Sequence, residues 1–357
     1  KSLSSTLRGL LRRWPALESA ARSGKRKLWR AGHAAVRRVL ATLPVSFAER
    51  RLVWDVRAHR DRVRPHSIEL VVRLSTALRA LPDPDGGNRW LHHRWQAIFE
   101  EVFGHVAGLL DVERGFDYLY LGAGTRNPLA FPMLVFLGGA RTVAVVEPEP
   151  VPAEDDWRVA WGLQEMVLRV MTGSVQSKYF VRPVTDLEGF VDLHRLFFGR
   201  DLRRALNPDR VRLFDDFFED SAIPARTIDL LTSRSVLEHV EVTEPCFDKL
   251  ADVMRPGGVM CHHIDFTAHS AGDPFAFYYE EPEAGRQLRA DGLNGLRPSD
   301  YLREFRQRGF DSHVVDSAFA TGYRLDRGRL RPRYRDYGEE DLLCTRAVIV
   351  SRRRPPL

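Results

Sequence analysis

Apolar residues follow two different periods along this chain. Up to about residue 113 they recur every three or four positions, as in helices. From Phe116 onward short apolar runs alternate with helical stretches. Leu3, Leu7, Leu10, Leu11 and Trp14 form a first helical stripe, with Arg8, Arg12 and Arg13 between them, until Pro15 interrupts it. A later helix opens at Trp90-Leu91-His92-His93-Arg94-Trp95 and carries Ile98, Val102, Val106 and Leu109-Leu110. It is expected to pack on a sheet edge or cover a ligand. Strands are predicted at 117–122, 142–147, 211–215, 228–233, 259–265, 312–317 and 343–351, and helices near 128–138, 239–254 and 298–309. Such alternation implies a mainly parallel sheet covered on both faces.

Two stretches exceed ordinary connections. Residues 148–210 separate the second and third strands and contain two runs of helical period, Trp157–Met171 and Leu187–Leu206. An insertion of that length in a compact domain usually has its own structure and often a binding role. Residues 318–342 carry Arg324, Arg327, Arg329, Arg331, Arg333 and Arg335 with three tyrosines. The expected organisation is a basic helical extension over 1–113 and a second domain over 114–357, with the helical insertion at about 148–210.

Between the first strand and its helix lies Leu121-Gly122-Ala123-Gly124-Thr125-Arg126-Asn127-Pro128, and the second strand ends in Glu147. Glycine permits a sharp turn and a close approach to a ligand, while the helix N-terminus that follows favours an anion. Asn127 suits a helix cap and Pro128 the first helical position. A carboxylate at the tip of the next strand can accept from both ribose hydroxyls. Gly122, Ala123, Gly124, Thr125 and Glu147 are therefore candidate cofactor residues.

Charge and composition narrow the setting. Residues 1–66 carry 17 basic against 4 acidic residues, and the remainder has a net charge of −7, so the high pI belongs to the N-terminal segment. Residues 1–40 fit a helix on an anionic membrane or polyanionic acceptor. A helix packed on its own domain or on a partner subunit is the commoner use of such a stripe, which leaves a homo-oligomer open. No run of ~18 apolar residues is present, and arginines cut the N-terminal apolar stretches, so neither a span nor a signal peptide is expected. Cys246, Cys261 and Cys344 lie too far apart for a disulfide framework or a CxxC zinc pattern. A cytoplasmic setting is expected, with or without peripheral membrane contact.

Further motifs follow in order: "SRSVLEHV" (233–240) opening a helix after the fourth strand, "MRPGGV" (254–259) stopping a helix before the fifth, and Asp215-Asp216 after the third. With the glycine turn, these resemble the class I S-adenosylmethionine-dependent methyltransferases, over about residues 116–351. More narrowly, "LGAGTRNPLAFPMLVFLGGARTVAVVEP", "SRSVLEHV…MRPGGVMCHHIDFTAH" and Asn294-Gly295-Leu296-Arg297 resemble methyltransferases that accompany polysaccharide and cell-envelope biosynthesis. The implied fold is α/β: a Rossmann-like, seven-stranded, mostly parallel sheet with an antiparallel last strand. It carries a helical N-terminal extension and a helical insertion after strand two. The implied cofactor is S-adenosylmethionine, with Asp215 or Asp216 accepting from the adenine amino group and Ser233 and Ser235 near the cofactor.

Methyl transfer from a sulfonium needs alignment and dryness, and a hydroxyl acceptor also needs a base. Strand alternation puts Cys261, His263 and Asp265 on one face and His262, Ile264 and Phe266 on the other. His263 or His239 is the expected general base, with Asp265 and His269 as partners. Each histidine has an equally weighted structural reading, as a helix cap or a hydrogen-bonded core residue. The spacing His263-x-Asp265-x-x-x-His269 would also admit a divalent ion, but acid/base work explains the same residues more economically, and no metal is expected. Tyr278, in the aromatic stretch 275–279, and Asn294 and Arg297 are candidate acceptor contacts, the arginine suiting a phosphate or carboxylate. The acceptor is expected to be a saccharide or other small molecule, lipid-linked or free. Two alternatives stand beside it. One is an RNA methyltransferase gripping phosphates with its basic N-terminus. The other is an inactive methyltransferase-like scaffold, since the loop lacks the usual third glycine.

Overall fold

The computed structural model of this protein describes residues 92–124, 128–149, 170, 175–181, 209–241, 243–269, 272–279 and 293–355. The basic stripe of residues 1–40, the helices expected within 148–210 and the cofactor candidate Thr125 lie outside them.

Seven strands form one sheet in the order β3-β2-β1-β4-β5-β7-β6. They are β1 (Phe116–Leu121), β2 (Ala140–Val146), β3 (Val211–Phe214), β4 (Ile228–Arg234), β5 (Met254–Asp265), β6 (Phe310–Phe319) and β7 (Cys344–Arg353). The first five pair in parallel, and β7 runs antiparallel to both β5 and β6. The strand order reverses at β1, which places the switch point, and hence the ligand crevice, between the carboxyl ends of β1 and β4.

Helices cover both faces. α1 (His92–Val106) packs on α2 (Ala130–Leu137), and both bury apolar side chains on one side of the sheet. Phe99 and Phe103 lie 4.2 Å apart between ring centroids and form the centre of that contact. On the other side α3 (Thr243–Val253) and α4 (Pro298–Gln307) bury Phe247, Leu250, Tyr301 and Phe305 against Leu119, Leu231 and Ile349. α4 starts where Pro298 fixes the first turn and the Asp300 carboxylate accepts from the Arg297 N–H at 2.9 Å.

A second apolar cluster joins Phe275 and Tyr278 to Leu330, Tyr334 and Leu342. The arginine-rich stretch after β6 therefore folds back over the aromatic segment 275–279, and the short helix α5 (Glu339–Leu343) returns the chain to β7. At the amino ends of the strands, Asp117 and Asp229 share the guanidinium groups of Arg141 and Arg255 at 2.7–3.3 Å. That ion network ties β1, β2, β4 and β5 together at the end of the sheet opposite the crevice.

Candidate active site

The carboxyl ends of β1, β2 and β3 are knitted by backbone bonds. The Gly122 N–H donates to the Val146 carbonyl at 2.9 Å, and the Glu147 N–H to the Phe214 carbonyl at 2.9 Å. Gly122 (φ 68°) and Gly124 (φ 73°) both take the left-handed conformation, and the Gly124 N–H donates to Glu147 Oε2 at 2.5 Å. The glycine turn and the acid 23 residues later thus meet at the carboxyl edge of the sheet. Burial raises the Glu147 pKa from its ordinary value, against the lowering effect of the Gly124 and Glu149 N–H groups. Ala123, within the turn, is buried, and Asp215 and Asp216 are exposed at the end of β3 beside Phe217, a residue 63% exposed.

β4 adds Ser235, an exposed non-glycine residue at φ 52° whose N–H donates to the His263 carbonyl at 2.9 Å. Strain of this kind concentrates at functional sites. The next residue, Val236, fills the space beside Gly122, where an added Cβ would stand 2.2 Å from Val236 Cγ2. Gly122→Ala is therefore expected to cost roughly 2–4 kcal/mol, from left-handed strain plus overpacking. It should also weaken S-adenosylhomocysteine binding at least tenfold. Adding Val236→Ala should recover part of both losses, as denaturation and calorimetry would read.

Adjacent strand-five histidines go to opposite faces, as alternation requires. His262 is fully buried and stacks on Phe305 (5.5 Å between ring centroids), with Nδ1 2.7 Å from Ser233 Oγ; burial pulls its pKa down to about 3. Ser233, expected near the cofactor, is buried and held by that histidine instead. His263 enters a small cavity between α1 and the sheet, lined by Glu101, Tyr120, Phe131, Thr232, Arg234 and Cys261 among others. Neither of its ring nitrogens has a hydrogen-bond partner, and burial, then Arg234, lowers its pKa to about 4. Register carries it to the carboxyl edge: Leu121 pairs Ser233, and Arg234 pairs His263. The imidazole is level with the glycine turn, two strands or about 10 Å across.

The expected His263–Asp265 partnership does not form. Asp265 closes a turn instead, Oδ1 accepting from the Thr267 N–H at 2.9 Å and from its hydroxyl at 2.6 Å, while Oδ2 lies 3.8 Å from His269 Nε2. His239 and His269 do come together, their ring centroids 5.0 Å apart. The sequence reading gave no role to Glu238, although an acid flanked by Val236, Leu237 and Val240 was the signal. It is 2% exposed, its Oε1 accepts from the Asp265 N–H at 3.2 Å, and burial raises its pKa to about 8. Glu101 and Arg234 (3.1 Å apart) were also missed, because an ion pair spanning 133 residues leaves no local pattern.

The three acceptor candidates are committed elsewhere. Arg297 is fully buried, and its guanidinium donates to the carbonyls of Phe266, Asp341, Leu342 and Cys344. Those bonds leave it no free face for a phosphate. Tyr278 is fully buried in the second cluster and donates to the Leu342 carbonyl at 2.7 Å. The Asn294 amide donates to the Leu237 carbonyl at 2.7 Å and to Val240 at 3.3 Å, stapling the turn that carries Glu238 and His239.

Solved structures of similar outline include the YcgJ protein from Bacillus subtilis (11% identity, 74% of this chain and 100% of that one, TM-score 0.39). Another is an S-adenosylmethionine dependent methyltransferase from Mesorhizobium loti (12%, 71% and 98%, TM-score 0.36). A third is an arsenic (III) S-adenosylmethionine methyltransferase from Chlamydomonas reinhardtii (13%, 68% and 64%, TM-score 0.39). Similarity at this level does not extend to substrates or residue roles. No curated protein matches the sequence. Residues 199–262, which take in β3, β4, α3 and most of β5, match the methyltransferase domain family, so the cofactor for this crevice is S-adenosylmethionine and the reaction class is methyl transfer.

Proposed function

We propose that the protein transfers a methyl group from S-adenosylmethionine to a hydroxyl of a small-molecule acceptor, a saccharide foremost, with His263 taking the proton. The observation that supports this most is the state of His263: a neutral imidazole with both nitrogens unbonded, facing a cavity level with the glycine turn. A lone pair without a partner is free to accept a proton, and the one carboxylate in the cavity, Glu101, is paired with Arg234 at 3.1 Å. Glu147 and the Gly122–Gly124 turn would hold the ribose, and Asp215 or Asp216 with Phe217 the adenine. The chain's part in the chemistry is then to align acceptor oxygen and methyl carbon, exclude water, and receive the proton as the oxygen attacks. The saccharide rests on the motif resemblance alone, and the space beside His263, between Tyr120, Phe131 and the Glu101–Arg234 pair, would have to widen to admit a sugar ring.

The reading is tested in two stages. Calorimetric titration with S-adenosylhomocysteine should give saturable one-to-one binding that Glu147→Ala weakens at least tenfold; no heat with the wild-type chain sinks the cofactor assignment. Tritiated methyl transfer to a panel of glycosides and phenols then identifies an acceptor. With it, His263→Asn should lower kcat by about a hundredfold or more at unchanged S-adenosylhomocysteine affinity. Because its pKa is held near 4, His263 is already neutral at pH 5. The kcat/KM profile should therefore stay flat from about pH 5 to 8, whereas a drop centred near 6.5 would point to an exposed histidine as the base.

A further inference from the structure

We propose that Glu238, His239 and His269 form a binding site for a divalent transition-metal ion at the carboxyl edge of β4 and β5. One potential ligand atom from each of the three side chains lies within 4.8 Å of the others. His239 comes from the turn after β4 and His269 from the loop after β5, so the sheet, not chance proximity in sequence, brings them together. Glu238 supplies the independent sign of a ligand. It is 2% exposed, one carboxylate oxygen accepts from the Asp265 N–H, and the other, Oε2, is buried with no partner. A buried carboxylate oxygen without a donor is costly, and a cation satisfies it.

The surroundings are organised for the same purpose. The Glu238 carbonyl accepts from the Asn294 N–H at 2.7 Å, and the Asn294 side chain holds the carbonyls of Leu237 and Val240. The turn presenting Glu238 and His239 is thus pinned on both sides of the two ligands. Asp265, anchored by Thr267, stands 3.8 Å from a ring nitrogen of His269, the place of the carboxylate that orients a metal-bound histidine. Bonds of ~2.1 Å to a tetrahedral ion put ligand atoms about 3.4 Å apart. The two exposed imidazoles can close that gap by side-chain rotation. Two nitrogens and one carboxylate suit Zn, Fe or Mn better than Mg or Ca. Three protein ligands leave a coordination position open, where a hydroxyl would be acidified. That last use rests on the methyl-transfer reading, but ion binding does not.

Cobalt(II) is the first probe, since its visible absorption reports nitrogen and oxygen ligation directly; zinc calorimetry on the chelator-treated full chain is the second. One ion should bind the wild-type chain, and His239→Ala and His269→Ala should each weaken it more than tenfold. Asp265→Asn should weaken it less. Both histidines are exposed, so those variants test the site even if Glu238→Gln does not fold. A wild-type chain that takes no ion, or an affinity that survives both histidine substitutions, overturns the site. Titrating S-adenosylhomocysteine into the same metal-free samples separates failure of the ion site from failure of the cofactor assignment.

Discussion

Arg297→Met is expected to destabilise the protein by about 4–5 kcal/mol, since the charged hydrogen bonds lost and the carbonyls left unsatisfied each contribute about 1–3 kcal/mol, with partial relaxation. The arginine lies inside the protein, and its guanidinium has no acidic partner among its bonds. Its positive charge is met instead by four backbone oxygens and by the Phe266 ring, whose centroid is 4.9 Å from the guanidinium carbon. Three of those oxygens, on Asp341, Leu342 and Cys344, lie at the end of α5, where carbonyls have no helical partner and the helix dipole favours a cation. Methionine fills much of the volume but donates nothing. Arg297→Lys should recover less than half the loss, because one ammonium cannot reach all four acceptors from one position. Urea denaturation of the three proteins tests this. A methionine variant within 1 kcal/mol of wild type would return Arg297 to the list of candidate acceptor contacts.

That residue also marks where sequence reading stops. The strand–helix order, the parallel sheet and the places of the glycine turn and Glu147 at strand ends were legible because each is written locally. A period of two, a glycine pair and an acid at the next strand tip suffice. The opposite facing of His262 and His263 followed from alternation for the same reason. Arg297, Asn294 and Tyr278 looked like ligand-binding groups because the carbonyls that engage their donors are remote in sequence. Those carbonyls lie 31–64 residues away, after β5 and at the end of α5 for Arg297, on α5 for Tyr278 and on the turn after β4 for Asn294. Satisfaction of a polar group is a tertiary fact, and no local pattern announces it. The same limit hid the cavity around His263, which needs α1, α2 and four strands from separate parts of the chain. Asp265 failed as its partner for a smaller reason: at the end of β5 the backbone leaves the pleat, and the carboxylate turns onto Thr267.

His262 turns such burial into a measurable pH dependence. Its pKa is about 3 in the folded chain against 6.5 when solvated, so folding favours the neutral ring. The stability this gives is present above pH 6.5 and is lost as pH falls toward 3. His263, held near 4 and faced by Glu101, Arg234 and Arg346, behaves alike. Glu238 runs the other way: its pKa of about 8 favours the protonated carboxyl, so its contribution is full below 4.5 and is lost as pH rises through 8. Between pH 4.5 and 6.5, unfolding therefore takes up one proton at each histidine and releases one from Glu238. Replacing His262 by Asn removes one uptake. The variant loses the stack on Phe305 and is less stable than wild type at pH 6.5. Its deficit should shrink by about 2 kcal/mol on going to pH 4.5, since the unfolded imidazole is half protonated at pH 6.5 and fully protonated at 4.5. Denaturation curves at both pH values, with chelator present, read this directly. A gap that stays constant would mean that water reaches the ring and that His262 is protonated within the fold.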